Sequence, residues 1–387
     1  MVTPFSTAAK IVLAVTIVLS SCMVSASSVH ARTADIVVGP PGCGDEGYLT
    51  DGVDDNLEIQ AALVSASNGD VIQLCEGRYE YAEDVLWSPS PMSVTLRGAG
   101  IGKTVLDGNS IWNLLAVWAS ALKITVEDLT LKDSYGGWGS AVLIFDIGAP
   151  SSLTLNRVAV TGGRNPFSYG AVAVEDGSIT IRSCLFDDND AYGPGGAVYA
   201  SNAVSIMNST FTNNRAHRFG GAVSAHSVQV ANTTFDGNYA GLEGGAIFSQ
   251  GDSAITGSRF MNNSAGEWGG ALSLSDKGLT GTSSLVDTVF TGNSAKRGGA
   301  IDSWGIRLYL QGVTFDGNHA SIYGGAISRS GRTSSSDLGS GNRFAANTSV
   351  NGNDVALYYT RKFTKWMALR DARVWSRLRV DIQVVAY

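Results

Sequence analysis

For most of its length the chain sets short apolar runs between turn residues. Val204-Ser-Ile-Met, Val228-Gln-Val and Leu308-Tyr-Leu place apolar side chains at every second position, the period of a strand with one buried face. Between Ser120 and Ala345 no 3.6-residue pattern is long enough for a helix. One short helix is expected upstream. In Asp54-Asp-Asn-Leu-Glu-Ile-Gln-Ala-Ala-Leu-Val the apolar positions are Leu57, Ile59, Ala61, Ala62, Leu63 and Val64, and Asp54 or Asp55 can cap the start. Strand-turn segments follow at 70–79 and 94–100. Near the other end, Arg377-Leu-Arg-Val-Asp-Ile-Gln-Val alternates strictly, with Leu378, Val380, Ile382 and Val384 on one face. This predicts a closing strand.

The runs belong to a repeat. F-x-x-N-x-[AS] followed by G-G-A-[VIL] starts at Phe186, Phe211, Phe235, Phe260, Phe290 and Phe315, a mean period near 26 residues. Phe344-Ala-Ala-Asn347 opens a degraded seventh copy, and weaker copies precede the first, so the repeat covers about 120–357. A unit of this size with two or three short strands cannot bury its own apolar face and must stack on its neighbours. The expected fold is all-β, a single parallel β-helix with coils about 4.8 Å apart. Phe should then stack on Phe inside it. Asn should stack on Asn at a turn, each amide satisfying the next. Gly-Gly-Ala should turn the backbone where Cβ atoms would crowd the next coil.

Asp-Asp-x-x-x-Ile-Gln-Ala-Ala-Leu (54–63), Gly-Asp-Val-Ile-Gln-Leu-Cys-x-Gly-x-Tyr (69–79) and Leu-Arg-Gly-Ala-Gly-x-Gly-Lys-Thr-Val-Leu-Asp (96–107) resemble the start of pectin-lyase-like right-handed β-helix proteins. There a helix caps the open end of the solenoid. The F-x-x-N and G-G-A-[IV] units resemble the repeats of chlamydial polymorphic outer-membrane proteins and related bacterial surface proteins. The resemblance implies a right-handed solenoid over about 45–357. It leaves function open, because the superfamily includes lyases, hydrolases, epimerases and adhesins. The large C-terminal barrel of the polymorphic proteins has no counterpart here.

Composition sharpens this picture. Of 387 residues 47 are Gly and only 8 are Pro, which excludes collagen, while 44% apolar and 16% charged residues exclude wholesale disorder. Formal net charge is −7, which argues against a nucleic-acid partner. The last 27 residues carry seven cations and two anions. This basic tail either docks on the acidic body or binds an anionic partner, and Trp366 and Trp375 lie within it. Lys10 and the apolar run 11–19 read as a signal peptide ending near residue 31. Leu19-Ser-Ser-Cys22 also resembles a lipoprotein box, which would anchor the chain to a membrane through Cys22. The organisation expected is a leader at 1–31, a cap and first coils at 35–118, repeats at 119–357 and a basic cap at 358–387. In an exported chain the expected disulfide is Cys43–Cys75, with Cys184 a buried free thiol.

Chemistry should lie on the outward side of the strands after each Gly-Gly-Ala. Alternation places Tyr199, His226, Phe248, Asp302 and Trp304 there, with Phe145 upstream, among serines. Aromatic faces beside hydroxyls suit sugar rings. Glu175 and Asp302 are about five coils apart, and His226 and Asp302 three, too far for acid–base work together. Asp187, Asp188 and Asp190 are the densest acidic group and a candidate Ca2+ site, with Asp236 in the Asp187 register two coils on. Glu243 and Glu267, in turns of adjacent coils, are a second and weaker one. Sequons occur at Asn208, Asn232, Asn262 and Asn347. The reading is an exported, non-catalytic β-helix that binds a polysaccharide or a cell-surface protein. The alternative is a polysaccharide lyase, glycoside hydrolase or epimerase, which assays on uronic-acid polymers with and without Ca2+ would reveal.

Overall fold

The computed structural model describes residues 34–359, apart from residues 53, 137–139, 147, 277, 279–280, 331–336 and 339, together with the backbone of 382–386. The leader, Cys22, Trp366, Trp375 and most of the basic tail lie outside the described residues.

The described chain winds into a right-handed parallel β-solenoid. A representative coil runs through strands Val198–Met207, Thr210–Thr212 and Arg215–Ala216. The next runs through Val223–Ala231, Thr234–Asp236 and Tyr239–Ala240. Among the described residues every strand pairing between coils is parallel, with Val198 beside Val223, Phe211 beside Phe235 and Ala216 beside Ala240. The pieces Arg215–Ala216, Tyr239–Ala240 and their equivalents make a separate eight-stranded sheet. Where short strands were expected, Val198–Met207 is one strand of ten residues. The corner inside it is absorbed by a register shift between Ala200 and Ala203. In the coil after next the same span breaks into Ile247–Ser249 and Ser253–Thr256.

Two ladders fill the interior. Phe186, Phe211, Phe235, Phe260, Phe290, Phe315 and Phe344 stack with centroids 4.6–5.1 Å apart. This is the coil spacing, so every ring from Phe211 to Phe315 has a ring on both faces. The Asn ladder runs from Asn189 to Asn347. Each Nδ2 before the last donates to the Oδ1 one coil on at 2.9–3.0 Å and to a carbonyl of the preceding coil, as Asn214 does to Asn238 and Phe186. Buried amides tolerate this environment because donors and acceptors are used. The residue before each ladder Asn has positive φ. It is Asp188, Asn213, Gly237, Asn262, Gly292 and Gly317 in turn, with Ala346 last. Asp, Asn and Gly carry the least strain there. Of the four sequons, Asn208, Asn232 and Asn262 are exposed, whereas the Asn347 amide is spent on Phe315 and Asp354.

The N-terminal helix, α1, spans Asn56–Ser65 and buries Ile59, Ala62 and Leu63 against Ile36–Val38 and Leu86–Trp87. Leu57 and Val64 stay exposed. Asp55 does not cap α1. Its carboxylate accepts from Gly52 N and Glu80 N, tying the helix start to the first coils. Cys43 and Cys75 are disulfide-bonded beside it. Cys184 is buried and free. Burial pushes its thiol up to about 11, so it sits as a small apolar residue. At the far end Ile382–Ala386 pairs parallel to Val355–Tyr359.

Candidate functional site

The strands after each Gly-Gly-Ala keep one register along the solenoid. Their first outward position reads Leu143, Ala173, Tyr199, Ser224, Phe248, Ser273, Asp302 and Ser328. Their second begins Trp118, Phe145, Glu175 and ends Ser275, Trp304, Ser330. His226 and Gln250 follow Ala225 and Ser249, which are paired, and so continue this line between the two ends.

Alternation alone treats both lines as open, and for the first this is wrong. Phe248 is 8% exposed and Asp302 6%, so neither presents a free outward side chain. A third line covers them. Phe219, Glu243, Trp268, Arg297 and Tyr323 immediately precede the Gly pairs and bridge one to the next. The first Gly of each pair has φ between 61° and 72°, which turns the chain sharply and folds this line back over the strand that follows. Phe219 stacks on Phe248 with centroids 4.9 Å apart. Glu243 Oε2 accepts from Ser273 Oγ at 2.9 Å. The Arg297 guanidinium lies 5.8 Å from both the Trp268 and the Tyr323 rings. Apart from Glu243, which was a cation candidate, these wall residues were missed because a position before Gly-Gly reads as turn filler. The signal was there: in four of the six complete repeats it is an aromatic residue or Arg.

The remaining accessible surface is a strip along the solenoid axis. Phe145 is half-buried between Trp118 and Glu175, His226 and Gln250 are exposed, and Trp304 is 41% exposed. Tyr199 is half-buried and stacks on Tyr169 at 3.9 Å and 7°. Burial pushes the Tyr169 hydroxyl up, reinforced by Tyr199 and Glu175.

Two carboxyls lie near one another here, Glu243 in the wall and Asp302 beneath it. Burial pushes Asp302 up to about 7; Glu243 adds to this, while Ser328 and Arg297 pull it down. Burial also raises Glu243, partly offset by the Ser273 hydroxyl. Glu243 sits in a turn, as the sequence predicts, but its side chain leans one coil forward onto Ser273, the register neighbour of Asp302, rather than towards Glu267. Glu267 points away and pairs with Lys296 at 2.6 Å.

The expected Ca2+ site does not assemble. Asp187 accepts from Thr212 and Asn213, Asp188 pairs with Arg164, and Asp190 faces His217. Asp236 accepts from Asn262. The positive φ at Asp188 sends neighbouring carboxylates in different directions. Among the described residues no group of three or more His, Cys, Asp or Glu side chains is placed to hold a metal ion.

Fold and strip together define a right-handed β-helix with a lined flank. Residues 140–320 match the family model for the right-handed β-helix region. No curated protein matches the chain. Among solved structures, a PL6-family alginate lyase is 12% identical, with 91% of this chain and 53% of that chain covered at TM-score 0.42. The A-module of the mannuronan C-5 epimerase AlgE4 of Azotobacter vinelandii is 17% identical, with 79% and 95% covered at 0.32. Tailspike protein 3 of bacteriophage CBA120 is 12% identical, with 87% and 57% covered at 0.36. The chain thus spans about half the length of the alginate lyase.

Proposed function

We propose that this is an exported or cell-surface protein that binds a polysaccharide along its flank. One observation carries the reading. Outward side chains repeat at the coil spacing, about 4.8 Å, with an exposed ring at each end, Trp118 beside the half-buried Phe145 at one and Trp304 at the other. Hydrogen-bonding side chains, Glu175, His226, Gln250 and Ser275, lie between them. A linear polymer with ring faces and hydroxyls matches such a row better than a compact ligand does. The disulfide Cys43–Cys75 supports export, since such bonds persist in oxidising compartments. The likeness of the repeat units to those of bacterial surface proteins points the same way.

A glycan array identifies the polymer. Trp304→Ala and Phe145→Ala should each weaken binding about tenfold, the loss of one stacking contact of about 1.4 kcal/mol. Tyr239→Ala, on the eight-stranded sheet, should leave it unchanged. Undiminished binding by the first two variants sinks the assignment. A second reading, cleavage or epimerisation of the bound glycan, is favoured by the Asp302–Glu243 pair alone. A carboxyl with a value near neutral beside a second carboxyl is what acid–base chemistry uses. Release of reducing or unsaturated ends from the polymer the array selects, lost in Asp302→Asn, would establish it.

A further inference from the structure

We propose that Glu243 and Asp302 form a proton-operated latch in the wall of the strip. With a proton on the pair, the Glu243 side chain lies down over Ser273. With both carboxyls ionised, it swings out to solvent. The two groups are unequal in mobility. Asp302 is 6% exposed in the middle of strand Ile301–Trp304, between Ser273 and Ser328, and cannot reach water without breaking two parallel pairings. Glu243 sits half-buried on a turn, held by its bond to Ser273 Oγ at 2.9 Å. Ser273 and Asp302 are one strand spacing apart, about 4.8 Å. The Glu243 carboxyl is therefore held on the strand next to Asp302, near enough to push Asp302 up.

On the other side of Asp302 lies the buried Ser328 hydroxyl, which pulls Asp302 down less strongly than burial pushes it up. The charged groups that reach Asp302 are Glu243, from the turn before Gly244, and Arg297, from the turn before Gly298. Arg297 also lies against Trp268 and Tyr323, and its pull does not offset burial. The direction follows by linkage. The folded value, about 7, is above the ordinary carboxyl value of about 3.9. The closed arrangement therefore keeps its full stability below the ordinary value and loses it progressively as pH rises towards 7. Moving Glu243 out relieves the repulsion at least structural cost. Where the strip binds glycan, a consequence that rests on the function proposed above, its wall would change shape across neutral pH.

The test uses the full chain without ligand. Carbon-13 NMR follows the two carboxyls, and hydrogen exchange follows the Glu243 and Gly244 amides, corrected for intrinsic rates. The Asp302 carboxyl should titrate near neutrality, and protection of the two wall amides should fall about tenfold between about pH 5.5 and pH 8.5. The amides of the Asn ladder should not change. Asp302→Asn should hold the wall protected at both values, and Glu243→Gln should lower the Asp302 midpoint. Titration of Asp302 at an ordinary carboxyl value overturns the latch and needs no variant to fold. So does wall protection that is flat with pH, or a change that survives in Asp302→Asn. A normal latch titration in a chain that binds no polysaccharide at either pH supports the latch and removes the binding function.

Discussion

Gly245→Ala should leave a chain whose central coils no longer stack. Gly245 is the second Gly of its pair. A Cβ there would collide with the carbonyl oxygen of Gly270 in the next coil and with the backbone of Ser264. All the obstructing atoms are main chain, so no rotamer change relieves the clash. The strands on either side must separate, against parallel pairing on each face. A loss of about 4 kcal/mol or more is expected, at the extreme of single substitutions, read from urea unfolding by circular dichroism. Gly317→Ala is the comparison. That site has a positive φ, but a Cβ would meet nothing within 4 Å, so only the backbone term of about 1 kcal/mol is lost. Equal losses at the two sites would show that crowding between coils is not what the Gly pairs prevent.

Asn263→Ala should be nearly as damaging, for a polar reason. The Asn263 amide donates to Phe235 O and Asn293 Oδ1 at 3.0 Å each. Its oxygen accepts from the backbone and side-chain nitrogens of Asn238. Truncation takes a partner from Phe235 O and from both nitrogens of Asn238 in the preceding coil, and one of two donors from Asn293 Oδ1 in the next. At about 1–3 kcal/mol for each orphaned group, a loss of about 3–5 kcal/mol is expected. The adjacent Asn262→Gly should change stability by no more than about 0.5 kcal/mol. Asn262 is exposed at a positive-φ corner where Gly237 and Gly292 stand in the flanking coils. Paired melts of the two variants, one residue apart, separate ladder from corner.

These ladders were legible in sequence because each coil repeats the same physical constraint. Phe must fill the same interior slot and Asn must meet the same neighbours, so the chain states the requirement from Phe186 onwards. The register of the outward lines was legible too, because alternation is set by the pleat. Accessibility was not. Whether Phe248 and Asp302 face water depends on where the residues before the Gly pairs fold back, as Phe219 of the preceding coil does over Phe248, a contact between coils that no strand period encodes. The same geometry brings Glu243 near Asp302, a neighbourhood that linear spacing does not show. The dispersal of Asp187, Asp188 and Asp190 has the matching cause: density of carboxylates along a chain says little when a left-handed corner separates their directions.

The Asn ladder has a direction. Every side-chain carbonyl accepts from the coil before and every amide donates to the coil after, so the small dipoles of seven Asn side chains add along the solenoid axis. At the beginning the first carbonyl is met by the backbone amide of Gly163 at 3.0 Å. At the last rung the donor end meets the carboxylate of Asp354 at 3.1 Å, a negative charge placed at the positive pole, as an acidic residue is at the start of a helix. The solenoid is therefore electrically polar as well as chemically repetitive. A coil added or removed inside the row can preserve that alignment, whereas a coil joined in reverse would set carbonyl against carbonyl.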